Sequence, residues 1–182
     1  VGETGAMSLR ARRRNAEARA RALRGAGAGS DAHRGAAPDP TGAGACRCRG
    51  KELDNAGRAP AQIDDLNLHG TATAHNDAME SLAVHALFGA TLPCSSSKPM
   101  TGHTLGAAGA LEAAFCWLSL SEHNPLGLLP PHVWDQQRDP ALPGLALVDG
   151  RQRLGTDGPR RLMSNSFAFG GNNVSLILGD TA

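Results

Sequence analysis

An α/β layered domain is the fold class this sequence predicts, and three observations carry it. Ile63 to His69 alternates as a short strand and is followed by an amphipathic run from Asp77 to Phe88. The pairing then repeats, with Leu92 to Ser97 as a strand and Leu105 to Leu120 as a helix that is apolar almost all round. The chain closes with two further strands, Arg161–Phe167 and Asn173–Leu178, joined through Gly170-Gly171. A mixed sheet with packed helices follows from that order.

Each remaining element has a local reason. Residues 1–30 stand apart and are left unassigned. Between Leu9 and Arg24 they hold seven arginines against one acid, Glu17. That pattern suits an Arg-rich leader better than a core strand, and no aromatic is present to stack on a base. The domain is taken to run from residue 31 to 182. Asp39-Pro-Thr-Gly42 is a turn, and Ala45 to Asn55 forms a helix closed by Gly57. In the helix expected from Asp77, apolar Met79, Leu82, Ala83, Ala86 and Leu87 share one face, while Asp77 and Glu80 have N-cap and N3 spacing and read as structural. Pro125 to Gly144 is a connection, and Leu145 to Val148 a short strand.

Composition excludes several function classes. The net charge is +1, so no global field favours nucleic acid. No apolar run approaches the ~20 residues of a membrane span, and no signal-peptide core is present. The four cysteines, Cys46, Cys48, Cys94 and Cys116, fit neither a zinc pattern nor a disulfide framework. The expectation is a cytoplasmic protein with reduced thiols and no metal. Aromatics are only 3% with no Tyr, so Ala, Leu, Val and Ile must build the core.

The residues that carry chemistry cluster in a few places. His69 ends a strand and is followed by Gly70, Thr71 and Thr73, a polar opening at the carboxyl end of a sheet. An isolated histidine there would read as a core residue. The adjoining glycine and hydroxyls favour function. His103, in Thr101-Gly-His103, precedes the helix near Leu105, whose dipole disfavours a positive imidazole. Two neutral rings donating to one oxygen would stabilise negative charge as it develops there. The histidines at 33, 75, 85, 123 and 132 read as surface or packing residues. Lys98 is one of two lysines, and Glu112 is the lone charge within an apolar helix, so the two are expected to pair, fixing His103. Cys94-Ser-Ser-Ser97 looks like a nucleophile tract, but its place on a strand before Lys98 makes a small buried thiol the better reading. Phe167, Phe169, Gly170 and Gly171 form either a Gly-rich hairpin with two core aromatics or a turn whose amides face an oxyanion.

Taken in order, Asn67-Leu-His-Gly-Thr-Ala-Thr73, Lys98-Pro-Met-Thr-Gly-His103 and Asn165-Ser-Phe-Ala-Phe-Gly-Gly171 resemble the later half of a β-ketoacyl-acyl-carrier-protein synthase. The likeness covers roughly Asp31 to Gly179, including Gly106-Ala-Ala-Gly-Ala-Leu-Glu112. It implies the thiolase-like fold, of which this is the C-terminal half, with residues 1–30 a degenerate end of the other half. It implies decarboxylative Claisen condensation of malonyl-carrier with an acyl thioester, in fatty acid or polyketide synthesis. By the same likeness His69, His103 and Lys98 are catalytic, with Glu112 and Phe169 in support. Thr71 and Thr73 meet the phosphopantetheine arm, Phe167 and Gly170 line the substrate, and the Phe169 amide is an oxyanion donor with its ring near the acyl pocket. No bound cofactor is implied, because the acyl carrier protein brings its own arm. The partners implied are that carrier, an N-terminal half bearing the cysteine nucleophile, and a second protomer in the complete enzyme. Nucleic acid and membrane are not among them. His75 departs from the family, which has Pro there, and the nucleophile is missing from these residues. Two other readings stay open: a non-catalytic partner of chain-length-factor type, and an inactive truncated fragment.

Overall fold

The computed structural model describes residues 21–30, 39–168 and 171–180. One mixed sheet of six strands organises them, in the order β1 (Arg21–Ser30), β6 (Asn172–Asp180), β5 (Arg161–Ala168), β2 (Asp65–Asn67), β3 (Pro93–Ser95) and β4 (Ala146–Leu147). The β1–β6–β5 part is antiparallel, and the β5–β2–β3–β4 part is parallel. The architecture is the thiolase-like one expected, with helices on both faces.

Period-two alternation sets those faces. Met163 and Ile177 point to one side, where they pack with Leu66, Leu53 of α1 (Ala43–Ala56) and Val84 of α2 (Ala74–Phe88). Leu162 and Leu178 point to the other, against Cys116 and Leu120 at α4 (Ala108–Ser119) and its end. A short helix, α3 (Lys98–Thr101), and a 3-10 turn at Leu105–Ala107 precede α4, so the single helix expected over Leu105–Leu120 begins later.

Three expectations are corrected. Residues 21–30, left outside a domain starting at 31, are β1, paired along β6. Their sequence lacks a strand's side-chain signature because α1 lies almost on the backbone. A Cβ on Gly27 would fall 2.6 Å from the Cys48 carbonyl oxygen and 2.7 Å from Glu52 Cβ. The first twenty residues of the Arg-rich leader lie outside the described residues. Helix α2 starts at Ala74 with Thr73 as its N-cap, so Asp77 and Glu80 are not a capping pair. Its buried face is also rotated from the one expected: Asn76, Met79, Glu80, Ala83 and Val84 are buried, whereas Leu82 and Ala86 are exposed. Polar bonds made by Glu80, described next, account for that rotation.

Candidate active site

β2 delivers its chain to the carboxyl edge of the parallel strands, where His69 follows Leu68 out of the sheet. Two backbone donors hold the turn there: the His69 N–H reaches Glu80 Oε1 at 3.0 Å and the Gly70 N–H reaches Glu80 Oε2 at 2.9 Å. The Oε1 atom also accepts from Asn165 Nδ2 at 3.2 Å and from Arg49 Nη2 at 3.1 Å. Glu80 is therefore the hub that fixes where His69 leaves the strand. Gly70 is required because its φ is +41° and a Cβ would lie 2.6 Å from Ser96 Cβ. Asp77 sits against the Ala72 and Thr71 amides, so both acids of α2 serve this turn.

The His69 ring is buried and stands edge-on to two other rings. His103 lies 5.4 Å away between centroids at 86°, and Phe167 lies 5.5 Å away at 67°. His103 is carried by the turn after α3, where Gly102 at φ 73° re-aims the chain. The two imidazoles predicted to share a site do meet.

Their protonation follows from what each Nδ1 faces. Lys98 Nζ lies 3.5 Å from His69 Nδ1, and the Leu105 N–H donates to His103 Nδ1 at 3.3 Å. A nitrogen facing a donor must be the bare one, which places both ring protons on Nε2. Burial, then the Lys98 charge, then His103 push the His69 pKa down to about 3. Burial, then Lys98, also lower that of His103. Both rings are neutral at neutral pH, as expected, although burial and Lys98 replace the helix dipole as the cause.

Lys98 and Glu112 form the expected ion pair, with both side chains almost wholly buried. The pair addresses His69 rather than fixing His103, because the Nζ hydrogen-bond contact is to the His69 ring. Burial raises the Glu112 pKa and Lys98 opposes it. Thr71 and Thr73 meet at the mouth, with their hydroxyls 3.0 Å apart. Phe167 is a buried wall of the His69 ring. Phe169 and Gly170 lie outside the described residues. Cys94 is fully buried, and burial drives its thiol pKa far above the ordinary value, which suits a structural thiol.

Residues 20–133 match the family described as β-ketoacyl synthase, C-terminal domain. The chain belongs to that family. It is 39% identical over 134 residues to the mitochondrial 3-oxoacyl-[acyl-carrier-protein] synthase of Arabidopsis thaliana, which covers 70% of this chain and 27% of the relative. It is 41% identical over 119 residues to 3-oxoacyl-[acyl-carrier-protein] synthase 1 of Escherichia coli K12, covering 64% of this chain and 27% of that protein. Among solved structures, the ketosynthase ApeO of Xenorhabdus doucetiae, in complex with its chain length factor ApeC, superposes with a TM-score of 0.80 at 49% identity. That match covers 88% of this chain and 39% of the solved one. The chain thus spans under a third of the length of these curated relatives.

Sequence reasoning about this ketosynthase domain missed Arg49, Glu52 and the true task of Glu80. A charged residue on a helix reads as solvent-facing, and only distant segments bury these: β1 lies against Glu52, while Glu80 and Phe167 lie against Arg49. No local pattern announces it. Among the described residues no helix is long and apolar enough to cross a membrane.

Proposed function

We propose that this domain supplies the decarboxylating half of a β-ketoacyl-acyl-carrier-protein synthase. The observation that carries this reading is the convergence of two neutral imidazoles, His69 and His103, with both Nδ1 atoms occupied and both Nε2–H groups left to donate. A malonyl thioester oxygen held by these two donors accepts negative charge as the bond from Cα to the carboxylate breaks and carbon dioxide departs. The electron pair released stays on Cα and the thioester oxygen as an enolate. Its carbon then attacks an acyl thioester, whose sulfur leaves as thiolate. No general base is needed, because the carboxylate leaves without transferring a proton.

The remaining roles follow the resemblance. Thr71 and Thr73 hydroxyls at the mouth line the path of the carrier's phosphopantetheine arm. Lys98 with Glu112 holds the His69 tautomer. Phe167 sets the ring's angle, and Phe169 with Gly170 frames the acyl pocket. The cysteine that bears the acyl group belongs to an N-terminal half of the site, and a second protomer of the same fold completes the assembly. The pairing of the Xenorhabdus ketosynthase with a chain length factor supports a two-protomer arrangement.

The test is malonyl-carrier decarboxylation by the chain combined with a nucleophile-bearing half. His69→Ala or His103→Ala removes one oxyanion donor, and the expected loss is roughly 10²–10³-fold in kcat. Unchanged decarboxylation in either variant would refute the assignment. A chain-length-factor role would show as no decarboxylation by the unmutated assembly.

A further inference from the structure

Arg49 has no exposed surface and sits on α1 beneath the histidine pair. One guanidinium nitrogen, Nη2, donates to Glu80 Oε1 at 3.1 Å. That same oxygen accepts the His69 backbone N–H. Its guanidinium carbon also lies over the ring of Phe167, 5.2 Å from the centroid, and that ring stands edge-on to the His69 imidazole. Arg49 therefore touches two of the groups that support His69: the carboxylate under its backbone and the aromatic wall beside its ring.

We infer that Arg49 is a positioning residue for His69, acting through Glu80 and Phe167. The inference rests on the proposed chemistry only for its catalytic consequence.

A plain stabilising ion pair is a poor explanation of this arginine. Its Nε and Nη1 donors have no hydrogen-bond partner among the described residues. A buried guanidinium with donors unmet costs more than an apolar side chain of equal size would. Burial pulls the Arg49 pKa down, and the Glu80 charge is the largest influence opposing that. Glu52, one turn along the same helix, makes no hydrogen bond to Arg49, and neither of its carboxyl oxygens has a hydrogen-bond partner among the described residues. What Arg49 contributes, and an apolar residue could not, is a fixed positive charge on the oxygen that holds the His69 turn. The guanidinium also sits over the Phe167 ring, which would otherwise be free to tilt.

The experiment compares the 182-residue chain with Arg49→Met and Arg49→Lys by amide hydrogen exchange resolved by residue. In Arg49→Met the His69 and Gly70 amides should exchange roughly tenfold faster relative to Met163 and Ile177 in the central strands. Arg49→Lys, which keeps the charge, should restore part of that protection. A merely structural loss would speed all four amides together, and that result, or unchanged exchange at His69 and Gly70, overturns the inference. Should Arg49→Met fail to fold, Arg49→Met combined with Glu80→Gln removes the charge and its counter-ion at once. A cooperative melt in that double variant supports the coupling, and its absence contradicts it. In the assembled enzyme, Arg49→Met should lower kcat for decarboxylation and leave KM unchanged. Lost local protection with undiminished decarboxylation would keep Arg49 as the anchor of the turn and count against the proposed chemistry.

Discussion

Glu52→Gln should make this chain more stable at neutral pH, by about 3 kcal/mol at pH 7. Glu52 is wholly buried between α1 and β1, and neither carboxyl oxygen has a hydrogen-bond partner among the described residues. Burial, only partly offset by Arg49, raises its pKa from 4.5 to about 9. The folded chain thus holds a proton that the unfolded chain releases between those two values. A carboxyl with a raised folded pKa favours the fold below the unfolded value and loses that contribution as pH rises toward the folded one. Glutamine has the same shape and nothing to ionise, so the variant's advantage should grow from near zero below about pH 4.5 to its full size near pH 9. Thermal melts should show a gain of roughly 6–12 °C at pH 7. A gain independent of pH would mean that Glu52 is not the titrating group.

Lys98→Met should act in the opposite direction and on two properties at once. It strands Glu112, whose Oε2 already lacks a partner among the described residues and whose Oε1 would lose its bond to Lys98. Breaking one side of a buried pair costs about 3–5 kcal/mol. The same change frees His69 Nδ1 from the donor that dictates its tautomer. Adding Glu112→Leu removes the stranded acid, and stability should return because two apolar side chains replace two charges. Decarboxylation should not return, since the imidazole still lacks its Nδ1 donor. Denaturant melts and decarboxylation rates on the single and double variants check this. Recovery of both properties together in the double variant would show that Lys98 matters only for stability.

Much of this site was legible because its chemistry is written in contiguous segments. His69 with its following glycine, His103 ahead of a helix and Lys98 after a strand each lie in a motif whose local conformation the sequence dictates. The Lys98–Glu112 pair was readable by elimination, as the sole carboxylate on an apolar helix had to meet a cation. What stayed hidden depends on contacts between distant segments. β1 carries glycines where strands usually carry bulk, because a helix seen only in three dimensions occupies that space. Glu80 reads as a helix-start residue in one dimension, yet it spends both oxygens on a turn 10 and 11 residues away. The same misreading rotated the apolar face expected for α2. Arg49 and Glu52 look like surface charges on a helix until Glu80 and Phe167 meet the one and β1 covers the other.

The site works in this account because both imidazoles stay uncharged with their protons on Nε2. Nitrogen-15 spectra of the histidine side chains in the 182-residue chain, followed from about pH 5 to 8, measure that directly. The expected result is a bare Nδ1 and a protonated Nε2 on His69 and on His103, with no His69 titration across that range. A His69 ring protonated on Nδ1, or one that gains charge with a midpoint near the ordinary value of about 6.5, would contradict it.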